Sequence, residues 1–265
     1  MLCSKYLVEI EGAMYPFPVA VWLIVLAGVL GLALLLFEGF RRAGNRRLGL
    51  AAGFGWAAWA LAVALAANAG TFRLTSQTAN PLIGVAALVA TAIALGCNAI
   101  PAITRILTDP AAPWRLTAPH ILRVTGGTVF LTACALGALP AIFALPAGLG
   151  DLGIGLEAIV LSRMLRRGTA GRGALLWFNI LGTLDLVTAM TLGFLAAPGP
   201  TRIITVDPTT AANGLLPLIL IPTVIVPIML ALHIVSLSRT RAAVRDSRRP
   251  ARTAARSDYG ISSGL

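Results

Sequence analysis

The 265-residue sequence is nearly devoid of lysine: Lys5 stands alone beside 20 arginines. A retinal-binding seven-helix protein needs a lysine amine inside its bundle for the Schiff base. Lys5 precedes every apolar run, so that class is excluded. Cysteine is scarce too, and Cys3, Cys97 and Cys134 have no paired or metal-type spacing. That excludes a disulfide framework and a thiolate metal centre, and leaves packing as the role of the two cysteines within apolar runs. Charged residues supply only 12% of the chain, about half the share usual in globular domains. No His-Glu-x-x-His element, P-loop or Gly-x-Ser-x-Gly nucleophile element occurs, and nothing in the sequence calls for a cofactor or a metal. The first 17 residues, with Glu9 and Glu11, lack a basic segment followed at once by an apolar one, so no cleavable signal peptide is expected. Met14 offers a second start, which would leave the residues before it outside the native protein.

What the chain has in quantity is apolar sequence, 57% of all residues, with a mean hydropathy of +0.86. The net charge of +11 would fit nucleic acid if it formed a patch. The basic residues instead sit in short clusters between apolar runs, as topology determinants do. No nucleic-acid partner is expected; the partner is the lipid bilayer. The composition therefore predicts an all-α, polytopic membrane helix bundle. A crossing takes about 20 apolar residues, and five runs qualify plainly: 18–37, 48–68, 81–103, 174–196 and 214–236. The element Gly49-Leu-Ala-Ala-Gly53 in the second run suits close helix packing in lipid.

Residues 128–162 are the ambiguous stretch, with Asp151 and Glu157 as their only charges. As one helix they would reach roughly 52 Å, well beyond one bilayer. Pro140, Pro146, Gly148 and Gly150 weaken such a helix. The reading is a hairpin bent within residues 146–150, with spans at 127–146 and 150–165. Arginine placement supports it. With seven spans and an outside N-terminus, 18 basic residues, Arg123 among them, fall inside and only Lys5, Arg73 and Arg202 outside. A single span would break that asymmetry. The expectation is a short extracytoplasmic segment 1–17, a seven-helix domain 18–238 with its C-terminus cytoplasmic, and a basic disordered tail 239–265. The tail's seven arginines would attract anionic lipid headgroups. Residues 104–126 read as a cytoplasmic-face loop with Trp114 at the headgroups.

Ionisable groups inside spans are costly and face a partner or a wet cavity. Those at issue are Asp151, Glu157, Asp185 and His233, joined by Asn179 on the polar stripe of the sixth run and Asn98 in the third. Asp151 is expected at the outer edge, where its carboxylate would cap a helix start. Glu157, six residues deeper, is expected to face Asp185; for both acids, structural and functional roles stand side by side. His233 reads either as a satisfied interfacial histidine or as a functional group. Pro217, Pro222 and Pro227 recur every five residues in the last run. They give either a bent helix or a broken one, in which the freed Leu218 and Thr223 carbonyls line a site.

Gly148-Leu-Gly150-Asp151 resembles the Gly-x-Gly-Asp element of intramembrane aspartyl proteases, with Asp185 as the second acid. The order of the two aspartates is reversed, however, and the Tyr-Asp and Pro-Ala-Leu elements are absent. A broader likeness runs over residues 120–238, through Leu145-Pro-Ala-Gly-Leu-Gly-Asp151, Trp177-Phe-Asn179-Ile-Leu-Gly182-Thr-Leu-Asp185 and Ile221-Pro222 to His233. It resembles a group of uncharacterised bacterial multi-pass membrane proteins. That resemblance implies a bacterial plasma-membrane location and no specific activity. The leading expectation is transport or sensing of a small solute or ion, proton-coupled through Glu157 and Asp185. The alternatives are an intramembrane hydrolase using Asp151 and Asp185, and a scaffold or partner subunit without chemistry.

Overall fold

Pro18 starts, and Arg41 and Arg42 finish, the first long helix, α1 (Val19–Arg42), in the computed structural model, which describes residues 17–76, 80–200 and 202–241. Proline ahead of a helix costs no hydrogen bond, and cations suit the carbonyl end. Both arginines also hold Glu38, Arg41 Nε at 2.6 Å and Arg42 Nε at 2.5 Å. Asn45 caps α2 (Arg46–Asn68) by accepting from the Leu48 amide at 3.0 Å. The small-residue element of α2 does what its composition predicts: a Cβ on Gly49 would lie 2.6 Å from the Phe37 carbonyl, so the two helices touch at backbone distance.

α3 (Leu82–Gly96) continues through a 3-10 turn, Cys97–Ala99, and stops because Ile100 is held extended by Pro101. The expected span to 103 is therefore shorter. The expected cytoplasmic loop 104–126 is instead largely helical. It forms α4 (Pro101–Leu107), α5 (Ala112–Thr117) and a 3-10 segment, Ala118–Leu122, that runs straight into α6 (Arg123–Ala135).

Residues 128–162 do form a hairpin, but its bend lies elsewhere. Gly137, at φ 72°, and Pro140 make the turn, and α7 (Ala141–Arg167) then runs unbroken through Pro146. The proline removes one amide donor, a loss that bundled membrane helices tolerate. Pro146 is thus not helix-breaking, and the expected division into 127–146 and 150–165 is corrected to a short α6 and a long α7. The two glycines expected to weaken the stretch, Gly148 and Gly150, serve contact: a Cβ on Gly148 would meet Leu131 Cγ at 2.7 Å, and one on Gly150 would overlap the Asp185 carboxylate.

Gly168, at φ 69°, ends α7 and lets α8 (Arg172–Leu195) return alongside it. Pro217 lies in the turn before α9 (Ile221–Arg241), which opens with a π-helical turn, Ile221–Ile225, containing Pro222. Pro227 frees the Thr223 carbonyl, as its position predicts, and the Trp59 indole of α2 donates to that oxygen at 2.9 Å. The Leu218 carbonyl accepts from the Ile221 amide at 2.9 Å. Both carbonyls are satisfied within the protein, so they do not form the carbonyl-lined site of the broken-helix alternative.

Among the described residues the regular structure is entirely helical. Six helices among the described residues are long and apolar enough to cross a membrane: α1, α2, Leu82–Ala99, α7, α8 and α9. No single helix among those residues supplies the expected seventh crossing. Leu34, Phe54, Leu61, Leu88, Leu149 and Leu184 stand outward and exposed. So extensive an apolar belt is what lipid solvates and water does not. α7 packs between α6 and α8, α1 lies against α2 and α6, and α9 is the most enclosed of the six. Apart from Phe17 and residues 239–241, the expected N-terminal segment and basic tail lie outside the described residues.

Candidate functional site

Arg123, the first residue of α6, is the largest side chain buried without exposure in the bundle. Its guanidinium reaches three other helices. Nε donates to Asp151 Oδ1 of α7 at 2.7 Å, and Nη2 donates to Asp185 Oδ2 of α8. Nη1 donates to the Gly182 carbonyl at 3.2 Å and lies 3.4 Å from His233 Nε2 of α9. A buried guanidinium is tolerated only when its fork of donors is matched; here carboxylates, a carbonyl and an imidazole match it.

The polar chain continues beyond Arg123. Asn179 Nδ2 donates to the Leu175 carbonyl at 2.7 Å and to Ser236 Oγ at 2.9 Å, which leaves its Oδ1 as the acceptor. His233 Nδ1 lies 2.9 Å from that oxygen and so carries the proton, making Nε2 the acceptor for Arg123. His120 stacks on the other face of His233, ring centroids 3.8 Å apart and planes 26° from parallel. Phe178 meets His120 edge-on at 5.3 Å. His120 is fully buried, and neither of its ring nitrogens has a hydrogen-bond partner among the described residues.

Small residues make this convergence possible. A Cβ at Gly150 would overlap the Asp185 carboxylate, one at Gly182 would overlap the His233 ring, and one at Gly126 would approach Asp151 Oδ2 to 2.9 Å. α8 presents Phe178, Asn179 and Gly182 on its buried face, as the polar stripe predicts, with Asp185 at the margin.

Four sequence candidates therefore meet: Asp151, Asn179, Asp185 and His233. Asp151 is not an outer helix cap; it is the eleventh residue of α7 and lies on that helix's buried stripe with Ala147, Ile154 and Ala158. The displaced hairpin bend is the reason. Glu157 makes no hydrogen bond or ion pair with Asp185, which packs over Gly150 two turns earlier in α7; it is half-buried and without such a partner among the described residues. Asn98 lies apart, its Nδ2 donating to the Leu95 carbonyl at 2.9 Å. The residues missed were Arg123 and His120. Arg123 looked like one more topology charge, and only its three-residue spacing from His120 and the following Gly126-Gly127 hinted at an inward face.

Among the described residues, no group of three or more His, Cys, Asp or Glu side chains is placed to hold a metal ion. The arrangement has the parts of a proton-handling site: two carboxyls, two stacked imidazoles and one fixed cation. Residues 79–241, which contain all of these side chains, match a family model described as a domain of unknown function (DUF8737). No curated protein and no solved structure matches the chain.

Proposed function

This chain belongs to the DUF8737 family of unknown function, and from that premise we propose that it is a multi-pass membrane protein that moves or senses a small solute or ion by way of a proton held at the Arg123–Asp151–Asp185 network. Charge balance carries the reading. One guanidinium serves two carboxylates, so with neutral histidines the network is one positive charge short. An uncompensated charge within a bilayer costs about 2.5–3.5 kcal/mol on insertion scales. A proton on one carboxyl removes the deficit. Asp185 is the more exposed of the two acids, its side chain 16% exposed against 9% for Asp151, and so is the carboxyl that a proton reaches more readily. It is the one that takes and releases the proton, and each release changes what holds α6 to α8.

In the same proposal α5, the 3-10 segment and α6 together make the seventh crossing. That keeps the arginine clusters on one side, with the N-terminus outside and the C-terminus cytoplasmic in a bacterial plasma membrane. A reporter fused after Leu265 should then be cytoplasmic. The hydrolase alternative fits less well, because an aspartyl dyad shares a proton directly and here a guanidinium stands between the acids. A structural clamp is the second reading, supported by the close packing at Gly126, Gly150 and Gly182.

Purified protein in liposomes loaded with a pH-indicator dye separates the two. Under an imposed membrane potential, proton entry should exceed that of protein-free liposomes and be lost in Asp185→Asn with folding retained. Wild-type flux equal to that of empty liposomes would leave the clamp.

A further inference from the structure

The second polar feature of the bundle lies away from the charge network. The ends of α1 and α3, the first half of α2, the short helices α4 and α5 and one face of α9 line a half-open cavity of about 500 Å³. Leu36, Ala52, Trp56, Ala94, Ile106 and Leu232 typify its walls. Three polar groups interrupt them. Trp56 Nε1 and the Nε and Nη1 atoms of Arg115 are buried without a hydrogen-bond partner among the described residues. Asn98 also lines the cavity, its amide nitrogen already committed to the Leu95 carbonyl. Asp109 Oδ2 stands 3.4 Å from Arg115 Nη1, too poorly aligned to count as a hydrogen bond, and the guanidinium carbon lies 5.8 Å from the Trp114 ring centre.

Ligand pockets are concave, about 300–1,000 Å³ in volume, and apolar with a few polar groups, and this one has that character. Two buried guanidinium donors and one indole donor face a single carboxylate, Asp109, and Arg166 lies with Arg115 against the Trp114 ring, so donors and positive charge are in excess here and favour an anion. The surrounding walls select hydrocarbon. The cavity also runs from beside the helix ends that carry Arg41, Arg42, Arg46 and Arg47 toward the middle of the bundle, where Trp59, Ala90 and Ile228 line it.

We infer that this cavity binds one anionic amphiphile, its acyl chain among α1, α2, α3 and α9 and its negatively charged head on Arg115 and Trp56. Two sources have this chemistry, a free fatty acid and an anionic phospholipid. The site is independent of proton handling at Asp185: either stands if the other fails.

Native mass spectrometry of the full chain, released from detergent after separate equilibration with oleate, a phosphatidylglycerol and a phosphatidylcholine, tests it. One equivalent of an anionic probe should stay bound and phosphatidylcholine should not; oleate without phosphatidylglycerol identifies the fatty-acid source, and the reverse the phospholipid. Arg115→Gln should lower occupancy at least fivefold, Arg115→Lys should recover most of it, and Ala94→Phe should abolish it by filling the cavity. If Ala94→Phe fails to fold, Ala52→Leu on the opposite wall replaces it. Equal retention of all three probes, or occupancy unchanged in both Arg115→Gln and the filling variant, would overturn the inference.

Discussion

Arg123 and Asp151 form a buried ion pair, Nε to Oδ1 at 2.7 Å, that is electrically complete by itself. Asp185, on the same guanidinium, is therefore a carboxyl in excess. The pair joins α6 to α7, and the extra acid joins both to α8. Removing the cation exposes what it compensates. Arg123→Met should destabilise the protein by about 3–5 kcal/mol, because it strands buried carboxylates. Adding Asp151→Leu and Asp185→Leu should recover most of that loss. Thermal unfolding in detergent, read for the single and triple variants, checks both halves.

Gly150 and Gly182 set the distances on which the network depends. Gly150→Ala would drive a methyl group into the Asp185 carboxylate, and Gly182→Ala into the His233 ring. Each should cost about 1–3 kcal/mol as overpacking, and each should abolish proton entry in liposomes. Gly153→Ala is the control, since nothing lies within 4 Å of a Cβ there. It should behave as wild type in both assays.

Trp59 and Pro227 make a second testable unit. The Trp59 indole accounts for the carbonyl that Pro227 frees on Thr223. Trp59→Phe should therefore destabilise by about 1–3 kcal/mol, the cost of an unsatisfied buried acceptor, besides any loss of packing. Pro227→Ala in the same background restores an amide that can take the carbonyl back, and unfolding measurements should show recovery.

His120 separates structural from chemical roles. Its two ring nitrogens are buried without partners among the described residues, so His120→Phe should be neutral or stabilising. If His120 passes protons to or from His233, the same variant should lose proton entry while gaining stability. A loss of both would show that the imidazole is needed for the fold.

Much of this architecture is visible in the residue pattern. Long apolar runs mark five of the six membrane-length helices, and the excess length of residues 128–162, with Pro140, Pro146 and the glycines after it, calls for the hairpin that contains the other. The acids and Asn179 stand out because polar groups in such runs are costly. The position of the bend is less visible, since residues 137–140 and 146–150 both carry helix-weakening signals. Choosing the later one turns a mid-helix Asp151 into a terminal cap and brings Glu157 to the site in its place. Arg123 was hidden for a different reason. An arginine between a loop and an apolar run looks the same whether it meets cytoplasm or two aspartates, and only the fold brings α7 and α8 to it. The cavity beside Arg115 has no sequence signature at all, because its walls come from six separate segments.

The central claim is that Asp185 carries a proton beside the Arg123–Asp151 pair. Infrared spectroscopy of the Glu157→Gln protein in membranes tests it directly, because protonated carboxyls absorb apart from carboxylates. One protonated-carboxyl band should be present near neutral pH and vanish in Asp185→Asn. No such band, or one that persists unchanged in Asp185→Asn, would contradict the account.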